Sequence, residues 1–255
     1  MPEVLPKIGY VSVLDAATLT ATPSSYAGTG TVDSVKDWRA WTFWRPTTGT
    51  TRTLDADLGS SKTVGAVAIY GHDAVGAVTV SRWTGATWAQ VATTTAVAGG
   101  AVLWISFDPV ATTKLRIEFA ALSYLAIVWA GEPLTLPIGV ASGWSDPILA
   151  QRPQLFPEMS RRGVHLGTAV EMWGAKLSLG ISNLEAEWVR DYWMPLVRAC
   201  AARPFFLNWN DTEWSSSVCL CSNADFGNAE FAQRGLINVS VSFTADTGYD
   251  QRATP

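Results

Sequence analysis

Histidine is nearly absent from this chain of 255 residues, occurring only at His72 and His165. The sequence therefore gives little support for a histidine-based catalytic triad or for a metal site with several histidine ligands. Charge is also sparse, since charged residues make up 16% of the chain and the formal net charge is -4. Without a basic surface the chain lacks the attraction that supplies most nucleic-acid affinity, so we expect no nucleic-acid partner.

Long apolar runs are missing as well. No segment is long and apolar enough to span a bilayer, and the first ten residues lack the basic and apolar regions of a secretory signal. We therefore expect no membrane span. The three cysteines, Cys200, Cys219 and Cys221, are odd in number and include a close C-x-C pair. This favours buried thiols in a reducing compartment over a disulfide framework.

Tryptophan, by contrast, is abundant, with 13 residues, and apolar residues make up 48% of the chain. This composition suits packed cores, and tryptophan also anchors interfaces and sugar-stacking surfaces. The length favours two domains. Residues 134–157 hold four prolines and no clear period, so we place the boundary near Pro137, between domains 1–136 and 137–255.

The first domain has the pattern of a β-protein, with short β-branched and apolar segments between Gly, Thr and Ser. Residues 114–119 alternate between Lys114, Arg116 and Glu118 on one face and apolar residues on the other, which predicts one wet and one packed face. Trp83 and Trp88 flank a predicted hairpin turn. The predicted strands are 64–70, 77–83, 102–107, 114–119 and 125–131.

The second domain carries the one convincing helix, predicted over residues 182–203 with Ser182 or Asn183 as N-cap. Pro195 should kink or split it. One apolar stripe is predicted along it, formed by Leu184, Trp188, Tyr192, Leu196 and Cys200. Strands are predicted at 167–179, 205–209, 217–222 and 236–245, so a sheet or sandwich should carry the helix.

The first domain resembles the discoidin or galactose-binding-like β-sandwich over residues 18–136. The matching pieces are an acidic, tryptophan-containing loop (residues 37–44), a D-L-G strand end (57–59), the strand VGAVAIY and the later K-L-R-I-E alternation. The resemblance implies a jelly-roll sandwich whose loops at one end hold glycans or lipid head groups, often with a calcium ion. It also implies a buried tryptophan, for which Trp41 and Trp44 are candidates.

Five residues are candidate glycan contacts on this reading: Trp41, His72, Asp73, Trp83 and Trp88. Trp83 and Trp88 lie where a sugar platform could sit, although cross-strand aromatic pairing explains them equally well. His72 and Asp73 follow a strand on a loop at one end of the sandwich, where polar contacts to a sugar, or a solvated loop, are both expected.

The second domain resembles the distal tail and other tail-tip proteins of long-tailed phages. The resemblance lies in the order of elements: the strand VEMWGAKLSL, the helix, the strand FFLNWN and the closing strand GLINVSVSFTAD. It implies assembly as rings around a tail axis, with aromatic interfaces that carry little charge. The interface candidates are Trp188, Trp193, Trp209 and Trp214.

Catalysis and metal binding find little support in the sequence. It contains no G-x-S-x-G, no H-E-x-x-H and no phosphate-binding glycine loop with its lysine. A glycosidase would need only two carboxylates, and no spacing singles out a pair. Asp33, Asp37 and Asp57 could offer oxygen to calcium but lack the EF-hand spacing. We therefore expect the protein to have no enzymatic activity, no metal site and no cofactor.

These observations favour a mainly β protein, with a galactose-binding-like jelly-roll sandwich followed by a β-sandwich carrying one helix. Its expected function is a structural component of a phage tail tip or baseplate, assembled in the host cytoplasm and carried in the virion. The expected partners are further copies of the chain in a ring, the neighbouring tail tube and tip proteins, and a host surface glycan. A glycan-binding lectin-like protein and a glycan hydrolase are the alternatives.

Overall fold

The chain is mainly β, as expected, with antiparallel sheets and one interrupted helix. The computed structural model describes residues 5–25, 30–47, 51–97, 99–139, 144–147, 150, 155–162, 164–170, 175–210, 218–233 and 235–248. The first described strand, β1 (Lys7–Gly9), joins the sheet formed by the C-terminal half of the chain. A first unit begins after it.

The first unit is a β-sandwich. Its strands are β2 (Thr18–Thr22), β3 (Arg52–His72), β4 (Val75–Trp83), β5 (Trp88–Ala96), β6 (Leu103–Ala121) and β7 (Leu125–Gly131). The sheet order is β2-β3-β6-β4-β5, and β7 also pairs with β3. Because β3 and β6 are long and their register shifts between residues 57 and 66 of β3, each strand serves both layers of the sandwich. The predicted strands 102–107 and 114–119 are therefore parts of one strand.

The first core lies between the two layers. The outer layer, formed by β2, β4, β5 and the parts of β3 and β6 that pair with them, contributes Leu54, Leu115 and Ile117. The inner layer, formed by β7 and the remaining parts of β3 and β6, contributes Val67 and Val128. All five side chains are nearly inaccessible to solvent. The alternation along β6 predicted from the sequence is confirmed here, since Leu115 and Ile117 point into this core while the charged residues between them stay on the outside. The outer layer thus presents a polar face to solvent.

The second unit is a seven-stranded sheet with a helix on one face. Its further strands are β8 (Leu134–Thr135), β11 (Ala175–Glu185), β12 (Phe205–Asn208), β13 (Val218–Phe226), β14 (Glu230–Gln233) and β15 (Leu236–Asp246). The sheet order is β11-β15-β13-β12-β1-β8, with β14 also on β15. A separate two-stranded hairpin, β9 (Leu155–Met159) and β10 (His165–Val170), comes between β8 and β11 in the chain, and we call it the hairpin arm.

The boundary predicted at Pro137 is wrong for two strands. β1 pairs with β12 and with β8, so residues 7–9 and 134–135 both belong to the sheet of the second unit. The sandwich is therefore inserted into the second unit between β1 and β8. This insertion could not be predicted from the sequence, because β1 has three residues, too few to show a period that would link it to a distant sheet.

The helix also begins later than predicted. β11 continues to Glu185, so Ser182 and Asn183 lie in a strand and neither is the N-cap. Helix α1 (Ala186–Trp188) passes through a π-helical turn (Val189–Trp193) into α2 (Met194–Cys200). Pro195 cannot donate a backbone hydrogen bond to the preceding turn, and the widened turn next to it accommodates that loss, so the predicted disruption is confirmed.

The buried face of the helix differs from the predicted stripe in its first half: Leu196 and Cys200 are buried as predicted, but Val189 and Trp193 take the places of Trp188 and Tyr192. Val189, Trp193, Leu196 and Cys200 are buried against the sheet, whereas Tyr192 is 50% exposed. The predicted spacing of four assumed a regular helix from residue 182, and the late start and the π-helical turn move the apolar face by one residue. Cys200, Cys219 and Cys221 are all free thiols buried in this second core, as predicted.

A third core joins the two units. On the sandwich side it includes Ala68, Ile127 and Trp129, and on the side of the second sheet it includes Phe206 and Leu220. These residues occupy the outward face of β3 and β7 and the sandwich-facing side of β12 and β13, which alternate with residues of the other cores. The second sheet therefore packs on the helix with one face and on the sandwich with the other.

Polar contacts reinforce this shared core. The Tyr70 hydroxyl donates a hydrogen bond of 2.6 Å to the Asp246 carboxylate, and the Val102 N–H donates one of 2.8 Å to the Thr247 carbonyl. A salt bridge of 2.9 Å joins Arg203 to Asp15. These bonds link residues far apart in the chain, so the two units are held at several points around their contact.

We expect Phe206→Ala to destabilise the whole chain. The change leaves a cavity in the shared core, which typically costs about 3–5 kcal/mol of unfolding free energy. Urea unfolding, followed by both fluorescence and circular dichroism, should show one earlier transition with coinciding curves. The control Phe231→Ala, at a side chain that is 69% exposed, should stay within about 0.5 kcal/mol of the parent. Loss of one unit's signal while the other unit keeps its midpoint would contradict a shared core.

Candidate ligand-binding site

Two rows of polar side chains cross the outer face of the sandwich. Residues paired directly across neighbouring strands point to the same side of a sheet. The pairing places Thr18, Asp57 and Lys114 in one row. It places Thr20, Asp55 and Arg116 in the next row. Three strands thus bring hydroxyl, carboxylate and cationic groups together on one face.

Arg116 is held by contacts on both sides of its guanidinium group. Its Nε and Nη2 atoms each donate a hydrogen bond of 2.7 Å to the Asp55 carboxylate, a bidentate pair. The hydrogen bonds from Arg116 to Asp55 raise the pKa of Arg116. Its guanidinium carbon also lies 4.3 Å from the ring centre of Trp88. Arg116 therefore links the polar rows to an aromatic ring on β5.

Trp88 also packs against Trp83, its partner on the other strand of the hairpin. Trp83 and Trp88 are direct cross-strand partners, with ring centres 5.3 Å apart in an edge-to-face arrangement. The turn between them is closed by a bond of 3.0 Å from the Thr84 N–H to the Thr87 carbonyl, and Gly85 adopts a φ of 100° that favours glycine. The hairpin predicted from the sequence is confirmed.

Asp57 and Lys114 complete a charge-balanced surface. The Gly59 N–H donates to Asp57 over 3.0 Å, and Lys114 lies 3.3 Å from the same carboxylate. The bond from Gly59, followed by that from Lys114, lowers the pKa of Asp57, which keeps the carboxylate ionised at neutral pH. With Asp55 and Arg116 the four charges cancel, so the surface does not favour a strongly charged ligand.

A cleft of about 360 Å³ lies on this face, and we call it the sheet-face cleft. Its lining residues are Thr18, Thr20, Asp55, Ala56, Asp57, Trp88 and Lys114. An indole ring beside balanced carboxylate, ammonium and hydroxyl groups matches a ligand with apolar C–H faces and many hydroxyls. A neutral sugar has both of these features.

Of the five candidate glycan contacts, only Trp88 lines this cleft, with Trp83 packed behind it. The threonines and the Asp55–Arg116 pair were missed. A signal for them was available in the alternation of T-L-D-A-D-L and K-L-R-I-E, because antiparallel pairing of the two segments brings Asp55 and Asp57 opposite Arg116 and Lys114.

Trp41 and Asp73 lie elsewhere, near a second cleft of about 340 Å³ at the loop end of the sandwich. This loop-end cleft is lined by Ala40, Phe43, Arg45, Ser123 and Tyr124. Trp41 follows one of these residues and is 76% exposed. The Asp73 carboxylate accepts hydrogen bonds of 2.7 and 3.0 Å from the Ser123 and Tyr124 N–H groups, so it orders the loop. Trp44, at 0% exposure, fills the position of the expected buried tryptophan.

His72 is corrected from a candidate sugar contact to an interior residue. It is 1% exposed, its Nε2 lies 2.9 Å from the Ala101 carbonyl, and its Nδ1 accepts a bond of 3.1 Å from the Ala74 N–H. Both ring nitrogens are thus used by the backbone. The sequence placed His72 on a loop, but β3 extends through this residue.

The interface tryptophans fall into different environments. Trp193 is corrected to a core residue, since it is 1% exposed and packs edge-to-face on Phe226 at 5.8 Å. Trp188 is partly exposed beside Tyr192, with ring centres 5.8 Å apart. Trp209 is partly buried, and Trp214 lies outside the described residues.

The three aspartates considered for calcium are engaged separately. Asp33 pairs with Lys36 at 2.8 Å, Asp37 accepts a hydrogen bond from the Thr42 hydroxyl, and Asp57 belongs to the sheet-face cleft. Across the described part of the chain, no group of three or more potential ligands could hold a metal ion. Among the helices described, none has the length and apolar character to cross a membrane.

Comparison with known proteins finds similarity in solved structures alone, since no family model and no curated protein matches the chain. CpGH89CBM32-5 from Clostridium perfringens, in complex with GalNAc-β-1,3-galactose, has 11% identity and a TM-score of 0.44, covering 48% of this chain and 100% of its own. Chitosan-binding module 1 of a chitosanase/glucanase from Paenibacillus sp. IK-5 has 22% identity and a TM-score of 0.42, with 48% and 99% covered. The family 32 CBM of C. perfringens NanJ, in complex with galactose, has 18% identity and a TM-score of 0.42, with 48% and 98% covered. These neighbours are carbohydrate-binding modules, and all three scores are low.

We expect the stability of the protein to fall as the pH drops below about 6.5, the ordinary pKa of histidine, because of His72. Burial lowers the pKa of His72 from its ordinary value of 6.5, so below that pH the unfolded chain binds a proton that the folded chain excludes. The stabilisation is present above the unfolded pKa and is lost as the pH falls. The urea midpoint should therefore drop less steeply with pH in His72→Gln. Equal pH dependence in the parent and the variant would refute this role.

Proposed function

We propose that the chain is a structural component of a phage tail tip or baseplate, in which the second unit self-associates into a ring and the sandwich is presented outward. The observation that carries the proposal is the hairpin arm. Its large apolar residues Met159, Val164 and Leu166 are 60%, 60% and 66% exposed. Apolar side chains grouped on an exposed arm are typical of surfaces that a partner covers.

The edges of the second sheet support the same proposal. β8 and β11 are the two edge strands, and the hairpin arm lies between them in the chain. Within the described residues β11 pairs with β15 alone, through nine residue pairs, which leaves the other edge of this 11-residue strand with unpaired backbone groups. Long free edges pair readily with another chain. An arm and an open edge in one unit suit assembly of several copies.

The layering supports the outward position of the sandwich. The helix covers one face of the second sheet, the sandwich covers the other, and the polar outer layer of the sandwich is the layer farthest from the helix. Assembly through the second unit would leave the sheet-face cleft accessible. The location at a tail tip rests on the resemblance of the helix and the closing strand to tail-tip proteins. The clefts described above contain no arrangement of residues that supports the alternative of a glycan hydrolase.

We expect the purified protein to have a mass several times that of the 27.4 kDa chain. Val164→Ser combined with Leu166→Ser should shift the population toward the monomer, because both substitutions remove exposed apolar surface that assembly would bury. Light scattering coupled to size exclusion measures this directly. Val97→Ser, at a side chain that is 65% exposed but lies in the sandwich, is the matched control. A parent protein that is monomeric at high micromolar concentration would overturn self-assembly.

Glycan binding at the sheet-face cleft is the second function that the geometry favours. The cleft combines Trp88 with charge-balanced polar rows, as a neutral sugar requires. Similar modules are found with galactose and GalNAc-β-1,3-galactose, and one binds chitosan, which makes these sugars reasonable probes. The function would let the assembled tip contact a host surface.

Trp88→Ala should weaken binding of such a sugar at least about ten-fold, since it removes the aromatic platform. Titration calorimetry or ligand-observed NMR with galactose and with chitosan oligosaccharides provides the measurement. Trp41→Ala is the matched control, because Trp41 is exposed near the loop-end cleft instead. Undiminished binding in Trp88→Ala together with loss in Trp41→Ala would move the site to the loop end.

A further inference from the structure

A groove of about 500 Å³ lies where the chain passes from the sandwich back into the second sheet, and we call it the junction groove. Its aromatic lining comes from Tyr10, just after β1, and from Trp188 and Tyr192 on the helix. Val189 and Trp193 form the buried face of the helix, whereas Trp188 is only partly buried against the second core and Tyr192 is 50% exposed. Trp188 and Tyr192 instead stand side by side at its rim, with their rings inclined by 30°.

The electrostatics of the junction groove favour a cation. Among the described residues that line it, Glu132 is a carboxylate and no side chain is cationic. Aromatic faces carry negative partial charge, and three of them beside a carboxylate attract a positive group. A guanidinium suits this setting better than an ammonium, since it is planar, weakly hydrated and able to stack on a ring while bonding a carboxylate.

Guanidinium groups of this kind occur at the tip of the hairpin arm. Arg161 and Arg162 are both exposed and lie in its turn. Bonds of 2.8 and 3.0 Å join Ser160 and Val164 at the base of this turn. Within the described residues neither arginine makes an ion pair, and the strands of the arm pair with each other alone.

We infer that the arginine tip of the hairpin arm on one copy binds the junction groove of the next copy. The inference rests on the proposed self-association and names the surfaces that carry it. The two surfaces differ, so the contact is head-to-tail, and repetition of such a contact with suitable rotation closes a ring. Arginine, tryptophan and tyrosine are the residues that most often dominate binding energy at interfaces. The exposed Val164 and Leu166 flank the tip and extend the buried area.

Charge reversal tests this contact. The groove variant Glu132→Arg and the tip variant Arg161→Glu/Arg162→Glu should each weaken association at least about thirty-fold, because each places like charges across the interface. Combining all three substitutions should restore association, since the charges are then complementary again. Arg198→Glu, an exposed position on the same helix that does not line the groove, is the matched control and should assemble as the parent does.

The readout is sedimentation velocity or light scattering over a concentration series, with circular dichroism to verify that each variant is folded. A monomeric parent would overturn both self-assembly and this contact. A parent that assembles while the groove and tip variants assemble equally well would overturn this contact alone. If the two sets of changes each weaken assembly but their combination does not restore it, the arginines bind a different surface and the pairing is wrong.

Discussion

The packing of Trp129 and its neighbours against Phe206 is the contact on which the remaining structure depends. Through this contact, the inner layer of the sandwich and the C-terminal sheet bury one face of each other. Among the described residues, nothing else packs on either of these two faces. Gly9 allows β1 to come close, because a β-carbon there would lie 3.0 Å from the Trp129 ring. The third core therefore explains how a sandwich inserted between two strands becomes part of the same body.

This arrangement also explains part of the tryptophan content. Trp38, Trp104 and Trp129 belong to or border the shared core, with the rings of Trp104 and Trp129 stacked at 5.5 Å. The abundance of tryptophan predicted surfaces that tryptophan anchors. One such surface is the contact between the two units of this chain. Three of the tryptophans near solvent line or adjoin the clefts described above: Trp88 in the sheet-face cleft, Trp41 at the loop end and Trp188 in the junction groove.

Strand positions were predictable where one face of a strand is wet. β15 and the outer half of β6 alternate cleanly between apolar and polar residues, and both were found. Strands covered on both faces, such as β12, have no alternation, yet a short apolar run bounded by turns sufficed for that one. Insertion of the sandwich was not predictable, because pairing between residues 8 and 207 leaves no local trace. The start of the helix was missed for a related reason, since Leu184 is buried in strand β11 at a spacing that also fits a helix.

The candidate site was predictable in its hairpin and not in its polar rows. Trp83 and Trp88 are local partners, so turn chemistry and spacing were enough. Thr20, Asp55 and Arg116 come from three strands, and only the sheet order makes them neighbours.

Calorimetry of the parent protein tests the central claim, that the inserted sandwich and the second unit form one cooperative body. A single unfolding transition whose van't Hoff and calorimetric enthalpies agree, recorded at a concentration low enough to suppress association, is the predicted result. Two separated transitions, one for each unit, would contradict the shared core.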